Sequence, residues 1–271
     1  MKLSKRIKFL LNEMLYDYAT KFGGCEKEVV YYDIGCDHGK IGCELLNRNA
    51  TCRVVFCDIS QTNLDKAKLC VRNMFTDEML ENYEQNCKEN QSLNNLEQRC
   101  EFICCNGVPR FCNKKNKKTY NIGLIFGLGG ETIKSIIQKD DIINEFYLQP
   151  TTSVLELREY LYSEDFEIVE DYLFNDGKNF YDFMYIKRKL YKDDCKIIDK
   201  NQYKIEEKYL GKDNFMRKDN EYQKFLIKQK HNLGKVLAKA DENMIQLNID
   251  KNKIKSYKFM YNLICNQIEG E

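Results

Sequence analysis

Val29-Val30-Tyr31-Tyr32-Asp33-Ile34-Gly35-Cys36-Asp37-His38-Gly39 decides how this chain folds. Val29 to Ile34 is β-rich and stops at Gly35, and Gly39 to Leu46 then reads as a helix. The rhythm repeats downstream. Arg53 to Ile59 is strand-like, with Val54, Val55, Phe56 and Cys57 in a row, and Ser60 to Phe75 is helical, with Ser60 as candidate cap and Leu64, Ala67, Val71 and Met74 in phase. Cys100 to Cys105 and Tyr120 to Phe126 are two more short apolar runs. Gly127-Leu128-Gly129-Gly130 and a helix through Ile137 follow the second. Ile143 to Leu148 is the next strand, closed by Gln149-Pro150. Ser153 to Tyr162 follows as a helix, with Ser153 and Glu156 in a capping-box pattern. Unbroken apolar strands alternating with helices predict βαβ units and a parallel sheet covered on both faces.

The flanks differ. Ser4 to Tyr18 has Ile7, Leu10, Leu11, Met14 and Leu15 on one face, with Ser4 as N-cap and Gly23-Gly24 as the stop. Phe166 to Phe174 and Phe180 to Ile186 are strands separated by Asn175-Asp176-Gly177-Lys178, a hairpin signal, so the sheet should finish with an antiparallel C-terminal edge strand. After Leu190 the pattern is helical and charged. Phe215 to Ala240 and a second helix marked by Ile254, Tyr257, Tyr261, Ile264 and Ile268 predict an antiparallel, coiled-coil-like hairpin joined by Asn248 to Asn252. The expected organisation is an α/β, Rossmann-like domain over 1–190, N-terminal helix 4–20 included, and a helical hairpin domain over 191–271. Thr76 to Arg99 and the basic tract Asn113 to Lys118 look inserted.

Bulk properties exclude more than they assign. The 271 residues carry 43 Lys+Arg against 42 Asp+Glu, so net charge gives no argument for a nucleic-acid partner. Residues 191–271 hold 17 Lys+Arg and 13 Asp+Glu, which puts the positive excess on the hairpin. Thirteen Cys with no Cys-x-x-Cys, and only His38 and His231, argue against a metal site and for small buried hydrophobes in a reducing cytosol. Asn12 and Glu13 spoil a signal-peptide core, and no apolar run approaches the ~20 residues of a membrane span. A cytoplasmic protein is expected, or one of an organelle lumen if a targeting segment has been removed; a monomer is favoured.

Asp33-Ile34-Gly35-Cys36-Asp37-His38-Gly39 lies at the end of the first strand, where a doubly wound sheet binds nucleotide-like ligands. Gly35 lets the backbone turn and approach a ligand. Asp37 stands where a phosphate-binding loop has glycine, and its carboxylate repels a pyrophosphate. It favours a cationic or zwitterionic ligand, and S-adenosyl-L-methionine, with a sulfonium and an amino group, fits. Asp58, with Ile59 beside it, ends the second strand, where an acid can take both ribose hydroxyls. Together Asp33, Asp37 and Asp58 would form an acidic pocket mouth, with His38 adjoining. Asn106-Gly107 follows the third strand, where methyltransferases of this architecture read adenine, and Gly127 and Gly129 follow the fourth, where the target base meets the methyl group. Taken singly, each has a plainer reading: a structural turn for the glycines, a helix cap for Asp58, a packed imidazole for His38.

In order, Leu3-Ser4-Lys5-Arg6, Asp33-Ile34-Gly35-Cys36-Asp37-His38, Gly127-Leu128-Gly129-Gly130, Leu148-Gln149-Pro150, Leu157-Arg158-Glu159-Tyr160-Leu161 and Asp176-Gly177-Lys178 resemble the bacterial tRNA (adenine(22)-N1)-methyltransferase family, from about Leu3 to Arg188. The departures are local. The family's Ser-Asp-His-Ala-Tyr-Leu-Pro is Cys36-Asp37-His38-Gly39-Lys40-Ile41-Gly42 here, its Gly-Asp-Gly-Leu is Cys105-Asn106-Gly107-Val108, its Ala-Gly-Met-Gly-Gly is Phe126-Gly127-Leu128-Gly129-Gly130, and the Asn of its Gln-Pro-Asn is Thr151.

The resemblance implies S-adenosylmethionine-dependent methylation of N1 of an adenine in tRNA, with Asp37, Gly127 and Gly129 at the reacting end. Lys5, Arg6, Lys114, Lys115, Lys117 and Lys118, together with the hairpin lysines, would hold phosphates. Two other readings stay open: a methyltransferase of the same fold acting on a protein or small molecule, and a catalytically weakened RNA-binding relative.

Overall fold

The computed structural model describes residues 2–15, 28–49, 51–74, 96–109, 119–164, 166–189, 205–211, 214, 216–242 and 251–270. Seven strands form one sheet: β1 (Glu28–Ile34), β2 (Arg53–Asp58), β3 (Cys100–Cys104), β4 (Thr119–Phe126), β5 (Glu145–Gln149), β6 (Phe166–Asn175) and β7 (Phe180–Arg188). Their order across the sheet is β3-β2-β1-β4-β5-β7-β6. β1 pairs in parallel with β2 and with β4, β2 with β3, and β4 with β5. β7 runs antiparallel to both of its neighbours. The last strand is therefore antiparallel, as expected, but it enters between β5 and β6. The rim strand β6 points the same way as the parallel set.

The period-two alternation of the strands divides the core. Tyr31, Val54, Phe56, Ile122 and Leu124 face one side. They are covered there by α1 (Lys5–Phe9), α2 (Lys40–Arg48) and α3 (Gln61–Met74). Val30, Tyr32, Ile34, Val55 and Ile125 face the other side, under α5 (Gly130–Gln138) and α6 (Val154–Ser163). A short α4 (Leu96–Arg99) leads into β3. Buried strands need apolar residues on both faces, which is why these segments read as continuous runs.

The expected first helix begins as predicted, with the Ser4 hydroxyl accepting from the Ile7 N–H at 3.3 Å. It then widens into a π-helical stretch over Leu10–Met14 that buries Leu10, Leu11 and Met14; its expected continuation and the Gly23-Gly24 stop lie outside the described residues. The capping box at Ser153 is not formed. Ser153 is left-handed at φ 52° and makes no capping bond. Its carbonyl backs onto Gly130, where a Cβ would come within 2.3 Å of it, so the chain must turn sharply there and only glycine fits opposite. Glu156 points instead to the C-terminal hairpin.

That hairpin is α8 (Asn220–Glu242) and α9 (Lys251–Glu269), preceded by α7 (Ile205–Leu210). The helices run antiparallel: Tyr222 OH donates to Gln267 at 3.4 Å, and further along the first helix Gly234 faces the ring of Tyr261, earlier in the second. A third core, with Tyr209, Leu210, Tyr222, Phe225, Leu226, Leu233 and Ile264, joins them to Leu155 of α6. Tyr257 OH donates to Glu156 at 3.0 Å, Lys253 pairs with the same carboxylate, and Lys208 pairs with Glu159 at 3.1 Å. Beneath this junction the buried Arg158 donates twice to Asp171, at 3.1 and 3.0 Å, and once to Asp182 at 2.8 Å. Among the described residues no helix is long and apolar enough to cross a membrane, and no group of three or more His, Cys, Asp or Glu could hold a metal.

Candidate functional site

Between β1 and β4 the strand order reverses direction, which leaves a crevice at the carboxyl ends of the strands. The β1–α2 turn opens on it. The N–H groups of Gly35 and Cys36 both donate to the Cys57 carbonyl, at 2.8 and 3.1 Å, which ties the turn to β2. Gly35, Asp37 and Gly39 all have positive φ. Gly39 is required twice over: φ is 63°, and a Cβ would sit 2.7 Å from that of Ala67. Asp37 takes the left-handed region as a short polar residue can.

Asp58 organises this turn. Its Oδ2 accepts from the Asp37 N–H at 3.1 Å, and its Oδ1 from the Ser60 N–H at 2.9 Å and the Asn63 amide at 3.3 Å. Asp33 is buried, and its Oδ2 accepts from the Gly42 N–H at 3.1 Å. Burial pushes its pKa up to about 7; the Gly42 N–H pulls against this, and Asp58 adds to it. The three acids thus do not share a mouth. Asp33 and Asp58 form a floor, and Asp37 stands exposed above them, its carboxylate 3.7 Å from His38 Nε2.

Across the crevice, the Cys105 N–H donates to the Asp58 carbonyl at 3.0 Å, which brings Asn106 and Gly107 beside the ends of β1 and β2. The loop after β4 is held by β5: the Gly127 N–H donates to the Gln149 carbonyl at 3.1 Å, the Thr151 N–H to the Leu128 carbonyl at 2.9 Å and the Gly130 N–H to the Thr152 carbonyl at 2.8 Å. The result is one cleft of about 830 Å³. It is lined by Asp33, Gly35, Asp37, His38, Asp58, Ile59, Asn106, Gly107 and Gly127, all expected from sequence. Gly129 is set back from it, as the N-cap of α5 against Thr152.

Lys40, Asn63, Leu128 and Thr132 also line the cleft and were not among the expected site residues. Asn63 was findable as a donor in the first turn of the helix that follows Asp58; the others carry no local signal. Of the residues expected to meet phosphate, Lys5 donates to the Asp176 carbonyl at 3.1 Å. Arg6 lines the cleft, with its guanidinium 5.3 Å from the centre of the Tyr181 ring. Lys114, Lys115, Lys117 and Lys118 lie outside the described residues.

Comparison with known proteins agrees with this geometry. A general methyltransferase domain model matches residues 23–86. A protein of Mycoplasma genitalium, provisionally named a tRNA methyltransferase, is 32% identical over 159 residues, 58% of this chain and 61% of that relative. The chain thus matches about three-fifths of that relative's length. Among solved structures, TrmK of M. capricolum in complex with S-adenosyl-homocysteine superposes with a TM-score of 0.64 at 23% identity, covering 99% of both chains. The B. subtilis M1A22 tRNA methyltransferase TrmK gives 0.62 at 16% identity, covering 98% and 99%. These likenesses show the fold. The family model described as tRNA (adenine(22)-N(1))-methyltransferase matches residues 74–259, more than half of the sequence, and the chain belongs to that family.

Proposed function

We propose that this protein methylates N1 of adenine 22 in tRNA, with S-adenosylmethionine as methyl donor. The observation that carries the reading is a cleft floored by Asp33 and Asp58 at the sheet's switch point in a chain of this family. The residues fit the cofactor. Asp58 keeps acceptor capacity on Oδ2 for a ribose hydroxyl, since that oxygen receives only the Asp37 N–H among the bonds above. Ile59, 73% exposed, offers an apolar face to a purine, and the exposed Asn106 offers an amide to its edge. Asp37 presents negative charge to a cationic ligand. Bound there, the sulfonium supplies an electrophilic methyl group.

N1 of neutral adenine has a free lone pair, so no general base is needed. What this chain supplies is position, worth several kcal/mol in such reactions. Gly127 leaves open space at the end of β4 for a planar base, with no heavy atom beyond its own chain neighbours within 4 Å of where a Cβ would be. The methylated base is cationic, and Asp37 stabilises that charge as it develops. Because N1 lies on the pairing edge, the adenine must leave its stack first. The hairpin supports an RNA substrate: Lys224, Lys235 and Lys255 are exposed and have no carboxylate partner among the described residues. We read 191–271 as the RNA-gripping part and 1–190 as the methylating part.

The test is transfer of labelled methyl from the cofactor to tRNA, followed by identification of the nucleoside and its position. Label in 1-methyladenosine at position 22 is expected. Label in protein or a small molecule, or cofactor binding with no transfer, refutes the proposal.

A further inference from the structure

The cleft is lined by both acids and cations. Asp33, Asp37 and Asp58 lie at the ends of β1 and β2. The cofactor proposed above carries two cationic groups and one carboxylate. The acids suit the cations and repel the carboxylate, which needs positive partners of its own.

Two permanent cations line the same cleft, Arg6 and Lys40. They come from neighbouring helix starts. Arg48, at the end of α2, donates to the Leu11 carbonyl at 3.2 Å and to Asn12 at 2.9 Å, while Ile7 and Ile41 pack against one core. Thus α1 with its π-helical continuation runs beside α2 in the same direction, and both begin at the cleft. Arg6 is held over the Tyr181 ring, 5.3 Å from its centre, a cation–π contact that uses none of its five N–H donors on a carboxylate. Lys40 is the first residue of α2, where a positive charge opposes the helix dipole. Neither cation is paired with a carboxylate among the described residues. A lysine placed against the dipole, half-exposed and without a carboxylate partner, is favourably placed to meet an incoming anion.

We propose that Arg6 and Lys40 together hold the carboxylate of the cofactor's methionine part. The inference rests on the cofactor reading above. It turns Arg6 from an RNA-phosphate contact into a cofactor contact. It also gives a role to Lys40, which replaces the aromatic of the family pattern.

The test is calorimetry on the full chain with two ligands, S-adenosylhomocysteine and 5′-methylthioadenosine. The second keeps the nucleoside and the sulfur and lacks the amino-acid part. Arg6→Gln and Lys40→Gln should each weaken S-adenosylhomocysteine about 10-fold, as loss of a charge-assisted contact does, and leave methylthioadenosine unchanged. Arg6→Lys and Lys40→Arg keep the charge and should retain most of the affinity. Equal losses for both ligands, or unchanged S-adenosylhomocysteine affinity, overturn the inference. Unchanged affinity joined to weaker tRNA binding with a shallower salt dependence gives the pair to an RNA phosphate instead. A wild-type protein that binds neither ligand overturns the cofactor reading itself.

Discussion

Replacing Asp58 by alanine tests the floor of the cleft. A carboxylate offers about four acceptor sites. Three are taken by protein donors: the N–H groups of Asp37 and Ser60 and the amide of Asn63. One remains, on Oδ2, which leaves Asp58 room for one ribose hydroxyl and not both. A single charge-assisted hydrogen bond is worth about 1.5–3 kcal/mol, which is about 10- to 150-fold in dissociation constant. The variant also strands two half-buried N–H groups, at about 1–3 kcal/mol, so its melting temperature should fall by several degrees. Asp58→Asn keeps the shape but sets an NH2 against a donor, and should fall between wild type and alanine. Titration calorimetry with S-adenosylhomocysteine, beside a thermal melt, reads both effects. An Asp58→Ala protein that binds within twofold of wild type refutes the reasoning.

The remaining predictions concern other parts of the molecule. Arg158→Met leaves Asp171 and Asp182 without their cation, which should cost about 3–5 kcal/mol; a melting temperature within a degree of wild type contradicts this. Asp33 ionises at 3.8 when unfolded and at about 7 in the fold, so the folded state holds its proton more tightly. Its contribution is fully present below 3.8 and is lost as the pH rises through about 7. Asp33→Asn should flatten that decline, and melts that run parallel to wild type across the window refute the assignment. Changing Lys224, Lys235 and Lys255 to Glu should weaken tRNA binding and make the log–log salt slope shallower by about 0.9 for each phosphate no longer neutralised, with S-adenosylhomocysteine affinity unaltered. An unchanged slope moves the RNA site off the hairpin.

Much of this was legible locally. The strands announce themselves because burial on both faces demands unbroken apolar runs, as in Val54 to Cys57. The loop from Asp33 to Gly39 is readable because positive φ and close packing restrict residue choice. What was illegible depends on partners far away in the chain. Glu156 looked like a capping residue until the hairpin, 97 and 101 residues further on, supplied Lys253 and Tyr257. Arg158 has no local pattern that foretells two acids on neighbouring strands. Lys40 carries no signal of its own, because only the packing of α1 beside α2 turns it to the cleft. The place of β7 inside the sheet is likewise a matter of pairing, and a hairpin signal does not say which strand of the pair meets β5.

The hairpin and the reacting end share one support. Helix α6 begins just after Thr151 and Thr152, whose backbone clasps Leu128 and Gly130, and its Leu155, Glu156 and Glu159 carry α7, α8 and α9. Ten residues of α-helix make a rod about 15 Å long. Arg158, midway along it, is bolted to β6 and β7 by three hydrogen bonds. A rod fixed at its middle pivots more readily than it slides. Torque applied to the hairpin would therefore arrive as a tilt at Thr151 to Ser153, against the loop that follows β4. The hairpin and the loop after β4 thus bear on one beam with its fulcrum in the sheet.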